Sequence, residues 1–434
     1  MPAPLQSTQI GGDLLESGEQ SAPDDGERSG GTLVGWGVGH PTSVRFPTVT
    51  FELNDDAEAL RRVVRDFADS EVAPHAAAWD RDHTFPVDTV RAMGDLGLFG
   101  IPFPQEYGGG GGNLTLLCVA IEELARVDQS VAITLEAGVG LGANPIYRFG
   151  TDDQRERWLP DLVGGRALAG FGLTEPDAGS DAGATRTKAH QTADGSWVIN
   201  GEKAFITNSG TEMTSLVTVT AVTGSEPSGR PAISTIVVPS GTPGFEVGPS
   251  YRKMGWHASD THPLVFTDCA VPAENLLGAE GRGFANFLSI LDEGRVAIAA
   301  MAVGVIQGCL EECQRYANER IAFGRAIGAN QAVAFAIADL AVAAHAARLV
   351  TYQAAALADA GKPYKVEAAI AKLYTTEAAV SATRTATQVF GGSGYMDETP
   401  VARHYRDAKV LEIGEGTSEV QRLVISRSLG LPVS

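Results

Sequence analysis

Three long runs of helical period close this chain, at about residues 283–320, 330–360 and 363–389, with Gly361 and Pro363 breaking the last two apart. The segment before them has a different period. From about residue 170 the stretches S-W-V-I-N-G-E-K-A-F-I-T-N, S-L-V-T-V-T-A-V and A-I-S-T-I-V-V-P are β-branched and punctuated by D-G, N-G and P-G turn signals, ending near Leu277. Ahead of that region the period is helical again. N-D-D-A-E-A-L-R-R-V-V-R-D-F-A supplies a cap at Asn54 and an acidic first turn, and further helices are expected around 86–98, 115–127 and 152–163. Helices, then strands, then helices exclude the strand–helix alternation of a dinucleotide-binding fold. The expected plan is a Gly/Ser-rich acidic tail over 1–46, a helical domain over 47–169, a β domain over 170–282 and a helical domain over 283–434. The tail has too few large apolar residues to order itself, and a short final helix should begin near Ser418.

A formal net charge of −20 argues against nucleic acid or an anionic membrane surface as partner, because both demand a basic footprint. No apolar run reaches the roughly 18 residues of a membrane span; Val296 to Ile306 reads as core helix. The four cysteines include one close pair, Cys309 and Cys313, without accompanying histidines, which disfavours a metal site and suits a reducing compartment. With neither the basic start and apolar core of a signal peptide nor the arginines of a transit peptide, the expected location is cytoplasmic.

Two glycine-rich stretches fail as phosphate loops. Y-G-G-G-G-G-N (107–113) follows no strand and lacks the Lys-Ser/Thr pair, and G-V-G-L-G-A (138–143) lacks the third glycine; loop and close helix packing are expected instead. F-G-L-T-E-P-D-A-G-S-D-A (171–182) is more informative. It lies where helix gives way to strand and combines hydroxyls, carboxylates and small residues, a turn-rich loop suited to ring heteroatoms or an anionic ligand.

With W-V-I-N-G-E-K-A-F-I-T-N (197–208), R-I-A-F-G-R (320–325), Q-V-F-G-G-S-G-Y (388–395) and R-D-A-K-V-L-E-I-G-E-G-T-S-E-V-Q-R (406–422), that loop resembles the acyl-CoA dehydrogenase family, in order and spacing from about residue 52 to 430. The resemblance implies an α+β multidomain fold: an N-terminal helical domain, a central β-barrel-like domain and a C-terminal four-helix bundle. It implies FAD as cofactor, an acyl-CoA substrate, an electron-transfer flavoprotein as acceptor, and a homotetramer, or at least a homodimer for the FAD sites. Phe171, Leu173, Thr174, Gly179 and Ser180 match flavin-contacting positions, and Ser180 also matches a substrate contact. Phe205 and Thr207 match residues on the isoalloxazine. Arg320, Phe323, Gln331, Gln388, Gly391 and Gly392 match positions that reach the FAD of a neighbouring subunit. Asp292, Arg295 and Gly416 match substrate contacts, and Thr417 and Glu419 match positions near FAD.

Glu415 matches the catalytic base. Oxidation at Cα–Cβ of a thioester needs an α-proton removed while hydride leaves Cβ for flavin N5, and a desolvated carboxylate is the stronger base. The enolate charge is expected to be met by a flavin ribityl hydroxyl and the Glu415 N–H. Some relatives place their base just before the arginine corresponding to Arg295, but here that residue is Gly294. Glu293, about 100° round the helix, is expected to point elsewhere. Gly414 and Gly416 are expected to give the backbone its freedom, and Ser418 with Gln421 to form a capping box for the final helix. Gly414, where many relatives carry an aromatic, alters the pocket, and a short or branched acyl chain is expected. The alternatives left open are an acyl-CoA oxidase using O₂ on the same fold and a non-enzymatic helical scaffold.

Overall fold

The computed structural model describes residues 53–433, so the tail expected over 1–46 lies outside the described residues. The first domain holds α1 (Asp55–Phe67), α2 (Ala73–Asp82), α3 (Val87–Asp95), α4 (Leu114–Val127), α5 (Gln129–Glu136), α6 (Asn144–Phe149) and α7 (Asp152–Val163). Asn54 caps α1 as its sequence asks, its Oδ1 accepting from the Ala57 N–H at 2.9 Å. α5 runs into α6 through a π-helical stretch, Ala137–Ala143, which is the glycine-rich G-V-G-L-G-A. A Cβ on Gly138 would lie 2.6 Å from the Phe99 ring, and one on Gly142 3.0 Å from the Ala169 carbonyl. These glycines therefore serve close packing, and the widened turn they permit directly follows Glu136.

The sheet is built from β1 (Leu168–Gly172), β2 (Lys188–Gln191), β3 (Trp197–Thr207), β4 (Thr214–Ser225), β5 (Pro231–Pro239), β6 (Phe245–Val247), β7 (Thr261–Val271) and β8 (Leu276–Leu277). Their order is β6-β7-β3-β2-β4-β5-β8, with β1 running parallel to β4. The expectation of a barrel-like domain is corrected here. The sheet is mixed and open, because the outermost strands, β6 and β8, span only three and two residues and do not pair with each other. Ile199, Val217, Ile236, Leu264 and Phe266 fill its core.

The last domain contains α8 (Gly283–Glu319), a two-stranded turn of β9 (Ile321–Ala322) and β10 (Arg325–Ala326), α9 (Gln331–Asp359), α10 (Lys365–Phe390), α11 (Pro400–Ala408) and α12 (Ser418–Ser428). Among the described residues α8 is a central element: α4 packs on it from the first domain, and α9 and α10 from its own. Every residue from Gly294 to Ile306 is buried, which accounts for an apolar run without a polar face. Gly304 lets α4 come in close, since a Cβ there would sit 2.2 Å from the Glu122 carbonyl. Both α8 and α9 are long and apolar enough to cross a membrane by length and composition. The α8 window is 83% buried inside the protein and the α9 window 17%. Phe335, Val342 and Leu349 lie exposed along α9.

Candidate active site

The loop between α11 and α12 carries Glu415, whose φ of 53° is left-handed, followed by Gly416 at φ 94°. A non-glycine residue in that region is uncommon and is held there by its surroundings. Here the hold is on the Gly416 carbonyl, which accepts from Lys372 Nζ of α10 at 2.8 Å and from Gln421 Nε2 of α12 at 2.8 Å. α12 starts differently from the expected capping box: Thr417 is the cap, its Oγ1 accepting from the Val420 N–H at 3.3 Å. Ser418 is buried without a partner for its Oγ, and Gln421 is drawn back to Gly416 instead. Gly414 is also corrected. Its φ is not left-handed, and a Cβ there would meet only the Val410 carbonyl, at 3.5 Å. Gly416 and Glu415 itself supply the turn.

The residue Glu415 is partly exposed, yet both its carboxylate oxygens are buried and have no hydrogen-bond donor among the described residues. They occupy the space where Gly294 lacks a side chain: a Cβ on Gly294 would lie 1.9 Å from Glu415 Oε2. The Glu136 carboxyl, at the end of α5, is within hydrogen-bonding reach of Glu415 and is likewise without another donor. Two carboxyls so placed satisfy each other only by sharing a proton. Burial raises the Glu415 carboxyl above the usual range, while Glu136, Lys372 and Arg295 pull it back down; burial and Glu415 raise Glu136 further. Arg295, 6% exposed, is held by Asp292 at 2.5 Å.

Glu293 points away, as its position on the helix suggests: Asn144 Nδ2 and Arg148 Nη1 each donate to it at 2.9 Å. Glu412 is bound by Lys409, and Glu419 is exposed. Beyond Glu136 and Gly294 lies a cavity of about 350 Å³, with Leu117, Val139 and Ala297 on its apolar walls and Arg148 and Glu293 on its polar one. That size falls within the range of small-molecule sites.

The 171–182 loop is anchored to β3. Lys203, fully buried, donates to Glu175 at 2.7 Å, to Thr220 Oγ1 at 3.0 Å and to the Leu173 carbonyl at 3.4 Å. Glu175 accepts further from the N–H groups of Arg186 and Thr187 at 2.6 and 3.0 Å, and the Ala204 N–H donates to the Thr174 carbonyl at 2.8 Å. The loop thus brings Thr174 beside β3 next to Phe205, and leaves Gly179 and Ser180 exposed. Phe171 and Leu173 turn inward: Phe171 stacks on Phe287 at 3.8 Å, and both join a small cluster with Ile290. Phe205 has φ 62° and is 64% exposed beside Tyr251.

Arg320, Gly391 and Gly392 form a second group, in a depression shared with Tyr316 and Phe390; Phe323, fully exposed, and Gln331 follow close behind Arg320 in the chain, and Gln388 lies in the last turn of α10. At 1.5 Å per residue, α8 separates Arg320 from Arg295 by about 37 Å. Arg320 thus lies far along α8 from Arg295, the arginine next to Gly294 and the Glu415 carboxylate. The residues suit a dinucleotide's two ends: an exposed aromatic and open hydroxyls in the first group, and a guanidinium with paired glycines in the second. No heavy atom lies within 4 Å of a Cβ built on Gly391 or Gly392, and Arg320 forms no ion pair among the described residues.

Sequence reasoning passed over Glu136, Lys372, Glu175 and Lys203, and gave Gln421 only a capping role. Two of them did leave a signal. Glu136 is the lone charge in S-V-A-I-T-L-E-A-G-V-G, and Lys372 the lone cation in V-E-A-A-I-A-K-L-Y-T-T.

A buried carboxylate without a donor, beside a largely apolar cavity, suits proton abstraction from an activated carbon acid. The chain matches the acyl-CoA dehydrogenase N-terminal domain over residues 54–166, the middle domain over 170–269 and the C-terminal domain over 281–430. It is 44% identical over 376 residues to a short-chain specific acyl-CoA dehydrogenase of Clostridium acetobutylicum, covering 87% of this chain and 98% of that one. The butyryl-CoA dehydrogenase of Megasphaera elsdenii superposes with a TM-score of 0.84 at 41% identity, covering 88% of this chain and all of that one (100%). A chain in a structure of the electron transferring flavoprotein of Acidaminococcus fermentans superposes with a TM-score of 0.84 at 42% identity, covering 88% and 99%. This chain belongs to the acyl-CoA dehydrogenase family and is an FAD-dependent oxidoreductase of acyl-CoA thioesters.

Proposed function

We propose that the chain dehydrogenates a short- or branched-chain acyl-CoA to its trans-2-enoyl-CoA, with Glu415 as the base that takes the α-proton. The observation that carries this reading is the buried, donorless carboxylate of Glu415 on a left-handed turn whose N–H it can present together with the base. Bound FAD supplies the two-electron acceptor for the β-hydride. Glu415 contributes the acceptor for the α-proton, and its burial makes that acceptor stronger than a solvated carboxylate. The Glu415 N–H is the chain's own donor toward a thioester oxygen that gains charge as the proton leaves. Arg295 and Asp292 order the α8 side of the site, and the cavity beyond Gly294 receives the acyl chain.

Substrate length follows the butyryl- and short-chain-specific relatives, and an electron-transfer flavoprotein is the proposed acceptor, supported by the Acidaminococcus structure. A neighbouring subunit is proposed to bring its Arg320 group to each FAD, which the separation along α8 favours, and the exposed apolar residues of α9 offer surface for the assembly, proposed as a homotetramer.

The experiment is anaerobic bleaching of the purified yellow protein across acyl-CoAs of graded length and branching, for wild type and Glu415→Gln. Bleaching strongest with short or branched chains, and abolished in the variant with FAD retained, is the expected result. Reduction near the wild-type rate in Glu415→Gln would overturn the assignment of the base. Peroxide formed on acyl-CoA without added acceptor would replace the flavoprotein partner with O₂.

A further inference from the structure

Lys372 is fully buried in the middle of α10, on an otherwise alanine-rich face, and no ion pair joins it to a carboxylate among the described residues. A buried ammonium without a bound counter-ion is costly and calls for a reason. Its Nζ makes one directed contact, the 2.8 Å hydrogen bond to the Gly416 carbonyl, immediately after Glu415. Gln421 donates to the same oxygen at the same distance, so the loop would still have one donor without the lysine. What Gln421 lacks is charge.

We propose that Lys372 is the positioning residue of the proton-abstraction step: it holds the Glu415–Gly416 turn through the Gly416 carbonyl, and its ammonium keeps the Glu415 carboxyl ionised in a site that otherwise favours the acid. The inference rests on Glu415 being the base.

The charges around Glu415 make the case specific. α5 contributes Glu136, which competes for the same proton. α8 contributes Asp292 and Arg295, already committed to each other, and Glu293, committed to Asn144 and Arg148. The loop and α12 contribute Glu412, bound by Lys409, and the exposed Glu419. Lys372 is thus the buried cation near Glu415 with no carboxylate ion-paired to it. Burial lowers its own pKa to about 8, with Glu415 the largest opposing influence, so the ammonium persists at neutral pH.

Three variants separate charge from hold. Lys372→Gln keeps an N–H donor and removes the charge; Lys372→Arg keeps the charge; Gln421→Leu removes the second donor and no charge. The readout is the rate of anaerobic flavin reduction by a saturating acyl-CoA across pH, with FAD content and thermal midpoint measured on the same samples. An opposite charge at close range shifts a carboxylate by about 1–3 pH units. The acidic limb in Lys372→Gln is therefore expected about one unit or more higher than in wild type, giving roughly tenfold slower reduction at neutral pH that recovers at alkaline pH. Lys372→Arg should keep the wild-type limb, and Gln421→Leu should slow reduction without moving it. Should Lys372→Gln fail to fold, Lys372→Met decides in its place: it also removes the charge while Gln421 keeps its hold on the Gly416 carbonyl, so the limb should again rise, whereas a purely structural lysine predicts a rate loss with the wild-type limb. A limb unmoved in a well-folded, FAD-replete Lys372→Gln overturns the inference, as does a limb that moves in Lys372→Arg as far as one unit. Glu415→Gln in the same series keeps the two readings apart: if it still reduces its flavin, the assignment of the base fails first.

Discussion

Gly294 and Glu415 occupy one position between them: a Cβ on Gly294 would lie 1.9 Å from Glu415 Oε2, far inside van der Waals contact. The glycine on α8 and the carboxylate on the loop 121 residues later are a single structural choice. The position just before Arg295, where some relatives carry their base, is adjacent in space to the Glu415 carboxylate. Only one can be filled by a carboxylate.

Gly294→Ala should therefore displace the Glu415 carboxylate, the proposed base, without disturbing α8, since alanine is the better helix former. We expect FAD content and thermal midpoint near wild type and flavin reduction slowed at least about 100-fold, as misplacement of a catalytic group by about 1 Å can produce. Stopped-flow reduction against the flavin absorbance of the same sample checks it; an unimpaired rate would mean that the carboxylate has another seat.

The raised pKa of Glu415 has a cost in stability. Because the folded protein holds a proton at pH values where the unfolded chain has lost it, stability falls as pH rises through the window above the ordinary carboxylate range, and the full cost stands above the raised value. Glu415→Gln removes a titrating group from that site. Its thermal midpoint should exceed wild type by a few degrees at pH 8, with the gap closing by pH 5. A gap that is constant with pH would show that ionisation of Glu415 is not its source.

A proton shared between Glu136 and Glu415 would give opposite outcomes for two similar substitutions. Glu136→Gln offers Glu415 an N–H donor and should leave the acidic limb of the reduction profile near wild type. Glu136→Leu offers no donor, leaves the Glu415 carboxylate unsatisfied and should move that limb to higher pH by about one unit. Identical profiles for the two would exclude a hydrogen bond between the carboxyls.

The two glycines flanking Glu415 should respond differently. Gly416→Ala forces a Cβ onto φ 94° and to 2.9 Å from Gln421 Nε2, so about 1–3 kcal/mol of stability and most of the activity should be lost. Gly414→Ala meets one atom at ordinary contact distance and should fold as well as wild type or about 0.5 kcal/mol better, by restricting the unfolded chain. Urea unfolding of both, read with FAD content, checks the contrast.

Breaking the buried Lys203–Glu175 pair with Lys203→Met leaves a buried carboxylate with two backbone donors and no cation, a change costing about 3–5 kcal/mol. Because the pair anchors the 171–182 loop to β3, FAD should be lost at lower urea than global unfolding requires. Flavin fluorescence against far-ultraviolet dichroism separates the two transitions; coincident transitions would place the damage in the whole domain.

Much of this protein is written locally. The 3.6-residue period of α8, α9 and α10, the cap at Asn54 and the β-branched runs of β3, β4 and β5 depend on neighbours in sequence, and so does the pointing of Glu293 away from Gly294 on the same helix turn. Sheet closure was not written there, because it depends on how far short edge strands reach. Nor was the cap at Thr417 in place of Ser418, which follows from the pull of Gly416 on Gln421. The site has the same division. The motifs single out Glu415, but nothing near it in sequence shows that its oxygens fill the gap left by Gly294, that Glu136 faces it, or that Lys372 grips the carbonyl behind it. Those groups come from α8, α5 and α10, and buried charges take their meaning from desolvation and from partners a few ångströms away. Sequence determines which carboxylate stands on the turn; the packing of three helices around it decides that its oxygens are buried there without a donor.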